Sequence, residues 1–315
     1  MATVLITGGT GMIGRELTKA LRVKGHDVII LTRGNRSAAE KGISYAGWDP
    51  EQSYIDQEAL SKADYIIHLA GAGVADKRWT RKRKQQIADS RVKGGKLLAG
   101  AVAHTPNKIK AVISASAIGW YGADDPARGN AFTEADPPAA DFLATTCYQW
   151  EQSIRSVTAA GKRLVIFRIG IVLGREGGAW KEFLKPLKWR LATVLGSGKQ
   201  VMSWIHIDDL VQLFLFALEK DTMTGVYNAV APQPVTNKAL VTAMARSRKK
   251  KFIRIRVPSF LLRLLLGEMS IEVLKSATVS AGKILDTSFS FQYRDIVHAA
   301  ASLSAQASPP GSTSL

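Results

Sequence analysis

Apolar positions along this chain follow two periods. Short runs rich in Val, Ile and Leu occur at 3–7, 27–32, 43–47, 64–69, 110–115 and 164–169. Each has strand length and is bounded by polar or glycine-containing stretches. Between them lie segments with helical spacing, the first from about Ile13 to Lys24 and stopped by Gly25, the next near 55–62, 80–103 and 140–160. Two further strand-like pieces, 202–207 and 225–229, flank a helix predicted at 208–220. Parallel neighbours need crossovers, so strands alternating with helices predict an α/β fold with a doubly wound parallel sheet. After Pro232-Gln233-Pro234 the pattern changes to a helix near 236–246, a basic strand at Phe252–Val257 and short helices opened by Pro258. The pattern predicts a main domain over 1–235 and a small α+β domain over 236–303, facing either substrate or a partner. The remaining residues, 304–315, are rich in Ser, Ala and Pro, and are expected to be disordered.

The first strand-to-helix turn carries the clearest chemistry. Thr7, Gly8, Gly9, Thr10, Gly11, Met12, Ile13 and Gly14 follow Val4-Leu5-Ile6 directly and lead into the first helix. Glycine is needed here for three reasons. Gly8 permits the tight turn, Gly11 lets the backbone approach a pyrophosphate, and Gly14 lets helix and sheet pack closely. Amides of the first helical turn then point at phosphate, where the helix dipole also favours negative charge. This context predicts a Rossmann-like domain that binds a dinucleotide through these eight residues. The second strand ends Leu31-Thr32-Arg33, followed by Arg36, with no acidic residue for an adenosine 2′-hydroxyl. A guanidinium matches a 2′-phosphate instead, so Arg33 predicts NADP(H).

Composition narrows the function classes. The net charge of +17, from 43 basic and 26 acidic side chains, favours anionic partners. The basic clusters around Lys77–Lys84 and Arg246–Lys251 are not interleaved with aromatic residues, and no nucleic-acid motif accompanies them, so nucleic acid is not expected as a partner. The single cysteine, Cys147, excludes an internal disulfide framework and any multi-cysteine metal site. No metal is expected. No apolar run approaches the roughly 20 residues that span a bilayer, and the first strand begins too early for a leader peptide. A cytoplasmic protein is expected, with a homodimer left open.

The strings TGGTGMIG at 7–14, HLAGAGV at 68–74, SR at 90–91, SASAIGWYG at 114–122, FLATTCYQWE at 142–151, RIGIVLG at 168–174, SWIHIDDL at 203–210 and NAVAPQPVTN at 228–237 together cover nearly the whole chain. On them it resembles the extended short-chain dehydrogenase/reductases, close to the NAD-dependent epimerase/dehydratases. It is most similar to the atypical epimerase-family branch with a small C-terminal domain of unassigned function. The resemblance implies NADP(H) at the carboxyl edge of the sheet. It also implies that the 68–72 loop, with Leu69, Ala70 and Gly71, lies along the adenosine side, that Trp48-Asp49 flank adenine, and that Ser114 and Ser116 stand beside the nicotinamide.

Classical members of that superfamily work through Tyr-x-x-x-Lys, two groups on one helical face. There the lysine lowers the tyrosine pKa and holds the ribose, while the tyrosine moves the proton. Alignment on Trp150-Glu151 places Leu143 and Cys147 at those positions. Leucine cannot transfer a proton. If the chain is an enzyme, Tyr121 is the preferred replacement, with Ser116 polarising the substrate and Cys147 or Tyr148 as further candidates. Glu134 and Asp141 are read as caps of the helix near 140–160, and His206 with Asp208-Asp209 as architecture at a helix start. Two functions therefore stand. One is an NADP(H)-dependent oxidoreductase- or epimerase-like protein acting on an unidentified small molecule. The other is a catalytically silent NADP(H)-binding regulator, such as a redox sensor or a cell-division-related factor. Between Lys188 and Gly196, relatives are richer in glycine, so side chains at Arg190, Ala192 and Thr193 are expected to stiffen a pliable loop and reshape the substrate pocket.

Overall fold

A computed structural model describes residues 1–34, 41–125, 127–248 and 250–305. Arg36 and the end of the tail lie outside the described residues. The leading half of the chain lays down β1 (Thr3–Thr7), α1 (Met12–Val23), β2 (Asp27–Thr32), β3 (Ile43–Asp49), β4 (Tyr54–Ile55), α2 (Gln57–Lys62), β5 (Tyr65–His68), α3 (Arg81–His104), β6 (Ala111–Ala117) and α4 (Phe142–Ile154). Then come β7 (Arg163–Ile169), β8 (Ile171–Gly174), α5 (Gly178–Lys188), β9 (Leu191–Leu195), β10 (Val201–Met202), β11 (Trp204–His206), α6 (Ile207–Glu219) and β12 (Gly225–Ala229). The chain closes with β13 (Val235–Thr236), α7 (Asn237–Ser247), β14 (Ile253–Val257), α8 (Ser259–Leu266), α9 (Ser270–Leu274), α10 (Gly282–Leu285) and α11 (Ile296–Ala305).

Eight strands form one sheet in the order β12-β7-β6-β5-β1-β2-β3-β4, parallel throughout except that β4 runs antiparallel to β3. This is a Rossmann-like, doubly wound fold. Side chains alternate across the sheet and so build two cores. Val4, Ile6, Val28, Ile30 and Phe167 face Leu17 and Leu21 of α1 and Leu210, Leu213 and Phe214 of α6. Leu5, Ile29, Ile66, Val112 and Ile166 face Leu60 of α2 and Leu98 and Val102 of α3. Register aligns Leu31, Thr7, His68, Ser114 and Ile166 in one row toward the carboxyl edge. Side chains cap the helices that follow: Asp56 on α2, Thr80 on α3, Asp141 on α4, His206 on α6 and Thr236 on α7.

The second lobe departs from the sequence reading in three places. Residues expected to form a loop between Lys188 and Gly196 contain β9, which pairs in parallel with β14, Leu191 opposite Ile253 and Leu195 opposite Val257. The predicted strand over 202–207 is divided at Ser203. That side chain donates to the Ala277 carbonyl at 2.8 Å and accepts the Val279 amide at 2.9 Å; β10, before it, joins β13, and β11, after it, joins β8. Ser304 and Ala305 belong to the end of α11 rather than to a tail, and the Ser304 hydroxyl lies 2.8 Å from that of Ser247. The lobe's core draws Leu173, Trp180, Leu187 and Trp204 together with Leu240, Met244, Ala299 and Leu303. Segments on both sides of residue 235 therefore share one apolar interior.

Candidate functional site

The glycine turn shows what each position is for. Gly8 has φ of 71°, and a Cβ there would lie 2.9 Å from the Leu69 carbonyl carbon. At Gly14 a Cβ would stand 2.4 Å from the Gly8 carbonyl oxygen and 2.5 Å from the Gly9 Cα, so α1 enters against bare backbone. Gly11 has open space, with only the Gly8 oxygen at 3.3 Å. No side chain caps α1, and its first turn carries no acidic residue. Its amides are left facing outward with the positive end of the helix dipole.

This bare helix end opens on a groove of about 1220 Å³. Gly8, Thr10 and Gly11 form one stretch of its wall, and Leu69, Ala70, Gly71 and Ala72 form another. Arg33, Trp48 and Asp49 line it beyond β2 and β3, and α3 contributes Arg81, Lys82, Ser90 and Lys93. Arg33 is exposed. The Asp49 carboxylate accepts the Glu51 amide at 2.9 Å. Lys93 is tied to Glu51, which leaves Arg33, Arg81 and Lys82 as the cations on the groove without a salt bridge among the described residues.

Other residues of the predicted set stand behind this wall. Thr7 is fully buried, with its hydroxyl 2.7 Å from His68 Nδ1, and it accepts the Leu69 and Ala70 amides at 3.2 Å each. It therefore shapes the 69–72 loop. Gly9 packs on Ile30, Ile13 packs against the core, and Met12 lies under the Gly174–Gly178 turn. His68 is also buried, and burial holds its pKa down at about 3, so the ring is neutral. Its Nε2 and the Trp150 indole nitrogen have no hydrogen-bond partner, and the two rings meet edge-on with centroids 6.3 Å apart.

The expected reacting groups are enclosed. Ser114 is 1% exposed and its hydroxyl donates to the Ala115 carbonyl at 3.1 Å. Ser116 Oγ donates to Glu151 Oε1 at 2.8 Å. Tyr121 is 3% exposed, donates to Asn228 Oδ1 at 2.6 Å and accepts from Arg168 Nη1 at 3.0 Å. Burial pushes the Tyr121 phenol up to about 12. Neither Ser116 nor Tyr121 lines the groove; both belong to a buried polar network with Glu151 and Arg168. Cys147 is buried near Gly119, and burial pushes its thiol up to about 12. Tyr148 is 45% exposed and leans on Trp120. Asp141 caps α4 through the Ala144 amide at 2.8 Å, whereas Glu134 does not cap it and accepts the Asn228 amide at 2.7 Å. His206 accepts the Asp208 amide at 3.1 Å and packs on Tyr293, whose amide, with that of Gln292, is held by Asp209.

Residues 4–229 match the model of the NAD dependent epimerase/dehydratase family. The chain belongs to that family. Residues 257–303 of this epimerase-family chain match a second model, a domain of unknown function (DUF1731). The epimerase family protein YfhF of Bacillus subtilis is 35% identical over 301 residues, covering 95% of this chain and 97% of the relative. The human epimerase family protein SDR39U1, solved with NADPH, superposes with a TM-score of 0.84 at 27% identity over 96% of this chain and 99% of its own. A nucleoside-diphosphate sugar epimerase from Corynebacterium glutamicum is 32% identical with a TM-score of 0.76, over 96% of this chain and 58% of its own. The chain is thus an atypical, NAD(P)-binding short-chain dehydrogenase/reductase of the epimerase-family branch. No helix among its described residues is long and apolar enough to cross a membrane.

Sequence reasoning missed the buried carboxylate–guanidinium pair of Glu151 and Arg168. A charged residue inside an apolar run, as in Val165-Ile166-Phe167-Arg168-Ile169, is the signal that marked it. It also treated Arg91 only as half of a string, although this side chain lies against the Gly71 wall of the groove.

Proposed function

We propose that the groove takes NADP(H). The observation that carries this reading is the uncapped amino end of α1 opening on a groove with an exposed arginine at the end of β2. Outward amides with no capping side chain suit a diphosphate, which brings its own acceptors. Arg33 would hold the 2′-phosphate as a planar fork, and Trp48 and Asp49 would border the adenosine half. The NADPH seen with the human relative supports the choice of the phosphorylated cofactor.

When bound, the nicotinamide supplies hydride exchange with a carbonyl or carbinol carbon. On this reading the protein is oxidoreductase- or epimerase-like and acts on an unidentified small molecule. One observation favours the second reading, binding without turnover. Leu143 and Cys147 occupy the tyrosine and lysine positions, and the Ser116 and Tyr121 hydroxyls are both committed to buried partners. Calorimetry of coenzyme-free protein with NADPH, NADP⁺ and NADH tests the common core of both. Binding of the two phosphorylated forms in preference to NADH is expected, and no heat with any of them refutes the proposal. Loss of 340 nm absorbance from protein-bound NADPH when pooled small carbonyl compounds are added separates the enzyme from the silent binder.

A further inference from the structure

Exposed apolar side chains gather on one stretch of the second lobe. Six of the thirteen large ones that the described residues leave exposed fall within 253–271: Ile253, Ile255, Phe260, Leu264, Leu265 and Ile271. Trp189, 81% exposed at the close of α5, adds a seventh. The Ile253 amide donates to the Arg190 carbonyl at 2.9 Å and so sets this corner beside β14. Helix α8 shows how an apolar face stays outside. Pro258 precedes its first turn, and Gly267, with φ of 60°, ends it. Leu262 is buried and marks the inward side. At 100° per residue, Phe260 and Leu264 point about 160° away from it. They are 70% and 69% exposed, and Leu265 is exposed as well. Ion pairs hold the element in this orientation. Both Glu268 oxygens, just after α8, lie 2.9 Å from Lys84 of α3, and Lys275, just after α9, reaches Asp141 at 3.5 Å.

Charge indicates what covers this face. Between Val235 and Lys275 the chain carries ten lysines and arginines against two carboxylates. Both carboxylates are engaged, Glu268 by Lys84 and Glu272 by Lys275. Lys188, Arg190, Arg254, Arg256 and Arg263 are exposed, and among the described residues none of them is in a salt bridge. Arg263 borders the apolar arc of α8, and Lys188 and Arg190 flank Trp189. Arg254 and Arg256 alternate with Ile253 and Ile255 along β14, toward its other face. A second copy docked face to face would set these cations against their own counterparts. An anionic bilayer surface suits both features, since headgroups take the cations while Phe and Leu side chains enter the acyl boundary. We propose that the outer face of α8 and α9 docks this protein on an anionic lipid surface, lying on the bilayer without crossing it. Phe260, Leu264, Leu265 and Ile271 insert, and Arg263 meets headgroup phosphates. Long basic stems reach the same layer from β14. None of these residues lines the groove, so the docking is independent of the NADP(H) reading.

Co-sedimentation of the full chain with vesicles tests this. One set is phosphatidylcholine alone, and the other contains about one-third phosphatidylglycerol. Binding to the anionic set at least about tenfold tighter than to the neutral set is expected, weakening as salt is raised. The double variant Phe260→Ser with Leu264→Ser should lose at least about tenfold of that affinity, because two large apolar side chains no longer leave water, and should keep its melting temperature. No binding to the anionic vesicles overturns the proposal, as does equal binding to both sets or a double variant that binds like the unaltered protein. Should the variant fail to fold, amide exchange of the unaltered protein is measured instead. Slowed exchange over 259–274 with anionic vesicles is expected, and unchanged exchange there overturns the assignment. Sedimentation velocity without lipid examines the other occupants. A dimer abolished by the double variant would give the face to a second copy, and binding to poly-glutamate with none to vesicles would give it to an acidic protein; either result overturns the lipid assignment.

Discussion

Arg168 and Glu151 form a two-pronged ion pair in the interior, with Nε to Oε1 at 2.8 Å and Nη2 to Oε2 at 3.1 Å, and their side chains 2% and 0% exposed. The guanidinium lies 3.6 Å from the centre of the Trp120 ring. β7 and α4 are thereby joined below the carboxyl edge, and Ser116 and Tyr121 complete the donors and acceptors around the pair. Removing one partner strands the other charge away from water. Glu151→Ala is expected to cost about 3–5 kcal/mol, the range for a broken buried pair. Urea unfolding measures it, and a loss near that of a surface substitution would show that water reaches Arg168.

Tyr121→Phe separates a packing role from a catalytic one. The variant loses one hydrogen bond to Asn228 and leaves an Arg168 donor short of an acceptor. A stability loss of about 1–3 kcal/mol is expected, with NADPH affinity held within about twofold. Normal stability combined with lost turnover, once a substrate is found, would return Tyr121 to the proton-carrying role.

Gly14 and Gly11 should respond differently to the same methyl group. Gly14→Ala forces Cβ onto fixed backbone, and overpacking of this kind costs about 1–3 kcal/mol or more. Gly11→Ala meets only the Gly8 oxygen at 3.3 Å and should leave the unliganded melting temperature nearly unchanged, while weakening NADPH by crowding the diphosphate. Paired thermal melts with and without NADPH decide it; equal cost in the unliganded protein would contradict this division of labour.

Acid should destabilise the fold through its buried histidines. Burial holds His68 at about 3 and His206 at about 4, both below the ordinary 6.5. As pH falls through 6.5 the unfolded chain takes up these protons first. The stabilisation from neutral burial is therefore complete above pH 6.5 and is lost progressively toward pH 3. Each histidine contributes a slope of at most about 1.4 kcal/mol per pH unit over its window. In His68→Leu the dependence of unfolding free energy on pH between 6.5 and 4 should flatten, and a slope equal to that of the unaltered protein would exclude His68 as a contributor.

Cofactor choice is testable at Arg33. Arg33→Glu reverses the charge expected to meet the 2′-phosphate, and it should weaken NADPH at least about tenfold more than NADH. Equal weakening of the two, measured by calorimetry, would remove the assignment.

Local rules made much of this molecule readable from one chain. The strands of the main sheet follow from apolar runs whose alternation is a property of the extended backbone, and α1 from its 3.6-residue period and its glycine stop. The turn at 7–14 is legible because backbone geometry there tolerates nothing else at Gly8 and Gly14. Pairing over long separations was not legible. The basic strand expected at 252–257 is β14, but its partner was missed: β9 is a strand only because it meets β14, 62 residues apart at Leu191 and Ile253. The same holds for the site. Sequence order put Ser116 and Tyr121 near the carboxyl edge, yet whether a hydroxyl faces the groove or a buried carboxylate depends on α4 and β7 packing beside it. Arg91 comes against the Gly71 wall of the groove only because α3 packs beside it. Identity and spacing along a chain specify which groups are available; burial and the direction of each free donor arise only when distant segments exclude water between them.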